Sequence, residues 1–224
     1  MALNVIMLGP PGAGKGTQAE RFAVSRGIPR ISTGEMLRQA GQEGTDVGRR
    51  AKVIMDRGEL VGDDVMIGIV RERLERRDAI AGFVLDGFPR TVGQARALDG
   101  LVNGRGALIV ADIVVPESEL IRRLGSRMIC ESCGVNAARS SSAVDGCRLC
   151  GGRLVQRADD NLGVVLERLK VYQRQTAPLV EYYRDRPTFR SVNGAQGTEE
   201  VAADLAAAIE AAGGGAGATE GVRP

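Results

Sequence analysis

The sequence predicts an α/β protein with a parallel sheet core and helices on both faces. Three observations carry this reading. Short apolar runs alternate along the chain with segments of helical period. The runs at 4–8, 83–85 and 108–115 are mainly apolar rather than alternating, as strands covered on both faces require. The first run also leads straight into a glycine-rich loop and a helix, the order found where α/β proteins bind phosphate.

Asn4–Leu8 is the first strand, and Gly14–Arg26 is the helix that leaves the loop. Pro29–Ile31 is a second short strand. Ser32 and Glu35 have the spacing of a capping box, which starts a helix running through Ala40. Thr45–Asp56 and Asp63–Arg77 are two further helices, the second capped by Asp63 or Asp64. Phe83–Leu85 is a buried strand that ends at Asp86, and Thr91–Leu101 is helical. Leu108–Val115 is the next buried strand, and Pro116 takes the first position of a helix that runs toward Arg127. Asp160–Arg186 reads as one long helix disturbed near Pro178, because proline lacks the N–H that the ladder needs. Phe189–Val192 is a last strand and Thr198–Ala212 a last helix. From Gly213 to Pro224 the chain is mostly Gly and Ala with few bulky apolar groups, the composition of a disordered tail. The segment Cys130–Cys150 carries three consecutive serines and almost no large apolar residue, so it cannot bury a core of its own.

The chain has 224 residues, 43% hydrophobic and 26% charged, which suits a soluble globular protein and excludes a disordered or collagen-like one. No apolar run approaches the length of a membrane span. Residues 1–8 lack a basic leader, so a cytoplasmic protein without a signal peptide is expected. With 30 basic and 28 acidic residues the net charge is +2, which argues against a bulk polyanion partner. Aromatic residues make up only 3%, poor material for stacking nucleic-acid bases. There is no histidine, so no imidazole serves as base or metal ligand. The only lysines are Lys15, Lys52 and Lys170; the other basic residues are arginines, whose forked donors suit phosphate.

Four motifs carry chemistry. Gly9-Pro-Pro-Gly12-Ala13-Gly14-Lys15-Gly16-Thr17 has the strand-to-helix context of a phosphate-binding loop. Its glycines let backbone N–H groups face phosphate oxygens, the helix N-terminus adds positive potential, and Lys15 is placed to reach the β- and γ-phosphates. Gly16 stands where a Ser or Thr usually follows the lysine, which moves the hydroxyl to Thr17. Asp86-Gly87-Phe88-Pro89-Arg90 follows a strand, so Asp86 arrives at the sheet edge where ligands bind in open α/β folds. A carboxylate there can hold Mg²⁺ through water, with Arg90 close by for a phosphate. Cys130-x2-Cys133 and Cys147-x2-Cys150, thirteen residues apart, have the pattern of a structural four-thiolate Zn²⁺ site. Gly134 and Gly151 follow the two knuckles; a pair of disulfides is the redox alternative. The fourth set is Arg38, Arg90, Arg123, Arg127, Arg157 and Arg168, each a surface residue if taken alone. Arg123 and Arg127, four apart at a helix end, are expected on one face.

Gly9–Thr17, Ile31–Arg38, Asp86–Arg90 and Gln156–Asp160 together closely resemble bacterial adenylate kinases with a long zinc-bearing lid, from residue 5 to about 201. The resemblance implies a P-loop three-layer core (1–31, 62–125 and 160–212) with two inserts, a nucleoside-monophosphate-binding segment at 32–61 and a lid at 126–159. It implies the reaction Mg·ATP + AMP ⇌ 2 ADP in a monomer. On that resemblance Gly12, Ala13, Gly14, Lys15, Gly16 and Thr17 hold the ATP phosphates, and the Gln196 backbone meets the ATP adenine. Thr33, Arg38, Glu59, Leu60, Val61, Gly87, Phe88, Pro89, Arg90 and Gln94 hold AMP. Arg123 and Arg127 clamp ATP, Arg157 and Arg168 reach the AMP phosphate and the transferring group, and Asp159 and Asp160 complete the catalytic set.

The residues support this chemistry on their own terms. Phosphoryl transfer needs in-line positioning and charge neutralisation more than covalent catalysis. The AMP phosphate is already largely dianionic at pH 7, so no general base is required. A lid that closes only over both nucleotides keeps water from attacking ATP. The chain departs from the family pattern in the lid: Val135-Asn136-Ala137 falls where a Tyr is frequent, the cysteine spacing is short, and Ser126 and Met128 flank Arg127. Gly163 softens the start of the next helix by about 1 kcal/mol. Altered lid kinetics are expected. Thr33 and Gln94 resemble the AMP-selective pattern, and the Gln94 amide can offer an acceptor and donors to adenine. Two other readings are a nucleic-acid-associated ATPase whose cysteine ribbon docks RNA or DNA, and a kinase for another monophosphate or for GTP. The ribbon reading would need basic and aromatic residues, and 130–150 holds Arg139 and Arg148 but no Lys and no aromatic.

Overall fold

The computed structural model describes residues 2–133, 136–138, 146–157 and 160–215. A five-stranded parallel sheet has the order β2-β3-β1-β4-β8. Its strands are β1 (Leu3–Leu8), β2 (Arg30–Ser32), β3 (Gly82–Asp86), β4 (Leu108–Val114) and β8 (Phe189–Asn193). The central strands β1, β3 and β4 are mainly apolar because both faces are covered, while the edge strands β2 and β8 carry more polar residues. Along β1, Ile6 and Leu8 enter the core packed by α4 (Asp63–Leu74), α5 (Val92–Val102) and α8 (Pro178–Tyr183). Val5 and Met7 enter the opposite core, against α1 (Lys15–Arg26) and α9 (Thr198–Gly215). The predicted α/β class with helices on both faces is therefore the observed one.

Two smaller units flank the sheet. Helices α2 (Thr33–Gln42) and α3 (Asp46–Asp56) pack on each other at very close range. A Cβ on Gly48 would lie 2.1 Å from the Ala40 backbone, so only glycine allows that approach. After α6 (Glu117–Gly125), the strands β5 (Arg127–Cys130), β6 (Asn136–Ala138) and β7 (Leu154–Gln156) form a separate antiparallel sheet of order β6-β5-β7. The chain returns to the main sheet through α7 (Leu162–Val171).

Several local expectations are corrected. Ser32 stands at the N-cap of α2 but makes no side-chain cap, because Glu35 pairs with Arg30 instead of reaching back. Gly62, not an aspartate, occupies the N-cap of α4, and Asp63 is its first residue, bonded elsewhere. Pro116 is the N-cap of α6 rather than its first residue. That helix stops at Gly125, so Arg127 lies on β5 and does not share a helical face with Arg123. The long helix 160–186 is three pieces, α7, a π-helical turn at Tyr172–Thr176, and α8. The turn's wide step, with Ala177 N–H donating to Tyr172 O at 2.8 Å, comes just before Pro178, which has no N–H to give. Helix α9 continues to Gly215, into the stretch expected to be disordered. The expectations placed on Gly134, Val135, Arg139, Asp159 and residues beyond 215 lie outside the described residues. Among the described residues no helix is long and apolar enough to cross a membrane.

Candidate phosphate-transfer site

The phosphate loop leaves β1 at the point where strand order reverses, since β3 and β4 lie on opposite sides of β1. Gly9, Gly12 and Gly14 all have positive φ, and a Cβ on Gly9 would meet the Ile113 carbonyl oxygen at 2.6 Å. Lys15 opens α1 and folds back over the loop, donating to Gly9 O at 2.7 Å and Pro10 O at 2.9 Å. Burial draws its ammonium down from 10.5 to about 8; Asp86 opposes this, and Arg90, Arg168 and Arg127 reinforce it. A Cβ on Gly16 would lie 3.2 Å from Asp86 Oδ2, so the loop backbone runs directly against that carboxylate. Thr17, one position on, is exposed.

Asp86 is paired in register with Met7 of β1 and Ser32 of β2, which sets it at the C-terminal edge of the sheet, as expected. Arg30, absent from the predicted site, ties this edge together. Its guanidinium lies 3.6 Å from Asp86 and 2.9 Å from Glu20, pairs with Glu35, and donates to Gly16 O at 3.3 Å. One cation thus links α1, α2, β3 and the loop. Its position two residues before the end of the strand beside Asp86 was the available signal.

A cleft of about 740 Å³ opens in front of the loop, within the usual size of a small-molecule site. Its walls include the loop from Gly12 to Thr17, Asp86, Arg90, Arg123, Arg127, Arg157, Arg168 and Gln196. Asp160 organises two of these arginines from beneath. Its fully buried carboxylate accepts from Arg127 Nε at 2.6 Å and Arg168 Nη1 at 2.9 Å. Arg123 Nε donates to Glu119 at 2.7 Å, and Arg122 and Arg123 hold the Glu119 carboxyl down at about 2.

A second, smaller pocket is lined by Lys15, Arg38, Glu59, Leu60, Gly87, Pro89, Arg90 and Arg168. A third includes Thr33, Leu37, Val61, Met66 and Gln94, and shares Gly87 and Arg90 with the second. Thr33 Oγ1 donates to Gly87 O at 2.9 Å. Thr176, on the π-helical turn, donates to Arg90 O at 2.9 Å and was not foreseen. Phe88 is 1% exposed and packs in the core, so its side chain stands apart from these pockets.

The four cysteines come together as their spacing predicts, and no disulfide bridges them. Their sulfurs all lie within 4.8 Å of one another. Cys130 Sγ is 3.5 Å from Cys150 Sγ, and Cys133 Sγ is 3.6 Å from Cys147 Sγ. Tetrahedral Zn–S bonds of about 2.3 Å would space sulfurs about 3.8 Å apart, so the donor set fits zinc. Backbone N–H groups of Cys133 and Leu149 point at Cys130 Sγ and Cys147 Sγ. They favour thiolates, and the Cys130 thiol falls to about 6.

A phosphate loop at the switch point of a parallel sheet, facing a cleft lined with arginines, places this chain among the P-loop nucleotide kinases. The family model described as adenylate kinase matches residues 7–188. The chain is 47% identical over 213 residues to an adenylate kinase of Archaeoglobus fulgidus, covering 93% of this chain and 98% of that one. It is 49% identical to adenylate kinases of a Geobacillus species (91% of this chain, 96% of the relative) and of a Geobacter species (93% and 100%). The chain belongs to the adenylate kinase family, the ATP:AMP phosphotransferases among the nucleoside monophosphate kinases.

Proposed function

We propose that this protein transfers the γ-phosphoryl group of Mg·ATP to AMP, giving two ADP, and so balances the adenine nucleotides. One observation carries the assignment of roles: Lys15, Arg38, Arg90 and Arg168 line both the large cleft and the second pocket. A donor in the cleft and an acceptor in the pocket would meet at these four cations. The loop 12–17 then binds the ATP phosphates, with Arg123, Arg127 and the Gln196 segment along the rest of the donor. Thr33, Arg38, the 59–61 backbone, 87–90 and Gln94 receive AMP. Arg157 and Arg168 stand between the two phosphates.

The AMP phosphate oxygen attacks Pγ in line, and the bond from Pγ to the bridging oxygen of ADP breaks. The attacking oxygen already carries negative charge, so no side chain takes a proton. Lys15 and the arginines stabilise charge spread over the equatorial oxygens. Asp86 would hold Mg²⁺ through water beside the loop, where the ion neutralises the β- and γ-phosphates. Cys130, Cys133, Cys147 and Cys150 would hold one structural Zn²⁺, which closes all four positions and leaves no chemistry open.

The separate β5-β6-β7 sheet supports reading 126–159 as a lid, and the α2–α3 pair supports reading 32–61 as the acceptor insert, around a core of 1–31, 62–125 and 160–212. One chain furnishes both pockets, which supports a monomer. Four cysteines gathered as a metal donor set rather than paired in disulfides support a reducing, cytoplasmic setting. The ribbon at 130–150 lacks Lys and aromatic residues, which supports small nucleotides rather than nucleic acid as partners.

The test is ADP formation from Mg·ATP with AMP, CMP, UMP or GMP, and with no acceptor. Rapid turnover with AMP alone and a quiet blank is expected. Preference for a pyrimidine acceptor would overturn the acceptor assignment, and turnover in the blank would overturn the transferase reading.

A further inference from the structure

Asp63 lies outside the residues assigned above, yet it holds the amide of Gln94, a buried polar side chain lining the third pocket. Gln94 is 1% exposed. Its Nε2 donates to Asp63 Oδ1 at 2.8 Å, and its Oε1 accepts from the Arg90 backbone N–H at 2.7 Å. Asp63 is itself held, since Thr91 Oγ1 donates to Asp63 Oδ2 at 2.7 Å and accepts from Gln94 N at 3.1 Å. A glutamine amide facing a base can ordinarily turn over, exchanging N–H for C=O. Here one neighbour can only donate and the other can only accept. A turned amide would set NH₂ against N–H and C=O against a carboxylate.

We propose that Asp63 is a positioning residue that makes the acceptor pocket select 6-aminopurine over 6-oxopurine nucleotides; this rests on the AMP reading above. After the two bonds are made, Gln94 keeps one N–H and one oxygen lone pair. Adenine offers a matching acceptor at N1 and donor at its 6-amino group. Hypoxanthine and guanine offer N1–H and a 6-oxo oxygen, the reverse pattern. Fixing the amide closes the route by which glutamine would accommodate both, and a buried polar pair left mismatched is what rejects an isostere strongly. Leu37, Met55, Val61 and Met66 supply apolar wall to the same pocket, and of its polar side chains Thr33 is already committed to Gly87 O.

The test compares AMP and IMP as acceptors in the wild type, Asp63→Ala and Asp64→Ala. Asp64, the exposed neighbour, controls for charge lost from the same helix turn. Asp63→Ala is expected to lower the AMP/IMP ratio of kcat/KM about 10- to 100-fold, the worth of a charged hydrogen bond, mainly through KM. Asp64→Ala keeps the wild-type ratio. Equal losses with both acceptors in Asp63→Ala would make Asp63 merely structural and overturn the proposal. A wild type inactive with AMP would instead overturn the underlying function. Should Asp63→Ala not fold, NMR on the unmodified protein decides: two resolved Gln94 side-chain amide protons protected from exchange are expected, and an unprotected, averaged pair would overturn the lock.

Discussion

At the scale of one residue, Lys15 shows how position rather than identity sets chemistry. Its ammonium caps the carbonyls of its own loop, at 2.7 and 2.9 Å. Burial and three arginines bring it down to about 8, against an ordinary 10.5. The free protein therefore loses this cation as pH rises through about 8, and kcat/KM for ATP should fall about tenfold per pH unit above that point. Stability should move the other way. Between about 8 and 10.5 the unfolded chain binds the proton that the folded one has released, so unfolding free energy rises with pH in that window on Lys15's account. Parallel pH profiles of kcat/KM and of the urea midpoint check this, and Lys15→Met should abolish both dependences. The loop and its lysine were legible because all their information lies in nine consecutive residues. Arg30 and Thr176 were not, because Arg30 gathers Glu20, Glu35 and Asp86 from three separate elements and the partner of Thr176 is 86 residues away.

At the scale of elements, the type of each predicted helix and strand was readable and many ends were not. Thr45 and Thr91 cap α3 and α5 through their hydroxyls, as Thr at those places suggests. The Ser32–Glu35 box fails because Arg30 competes for Glu35, and Asp63 is drawn off by Thr91 and Gln94. In each case tertiary bonding took a side chain that a local rule had assigned. The α2–α3 pair yields a prediction whose sign separates local from tertiary effects. On propensity alone Gly48→Ala would stabilise its helix by about 1 kcal/mol. With a Cβ 2.1 Å from the Ala40 backbone, overpacking should instead destabilise by about 1–3 kcal/mol. Because α2 carries Arg38 and α3 carries Met55 into the pockets proposed to receive AMP, KM for AMP should rise severalfold while KM for ATP stays unchanged. Urea denaturation and the two KM values check it.

At the scale of the molecule, the proposed lid reading requires the small β5-β6-β7 sheet to move as a body. Four thiolates around the proposed zinc would staple it together. Elemental analysis should find one zinc per chain, and chelation should lower the melting temperature by unwinding this unit first, leaving the five-stranded sheet intact by amide exchange. The body is joined to the catalytic edge through Asp160, whose buried carboxylate binds Arg127 on β5 and Arg168 on α7 at once. Loosening the unit should therefore cost activity as well as heat stability, with the loss reversed when zinc is restored.

By itself the sequence determined the α/β class, the phosphate loop, the sheet-edge aspartate, the cysteine set and the family. Each of these is written in contiguous residues or in a period, so neighbours along the chain suffice to specify it. Only the tertiary structure decided which arginines share a cleft, that Arg127 reaches it from a strand, that Arg30 braces Asp86, and which way Gln94 faces. Those outcomes depend on which donors and acceptors have already been taken by distant groups. Hydrogen-bonding capacity is finite, and its allocation is settled only when the elements pack.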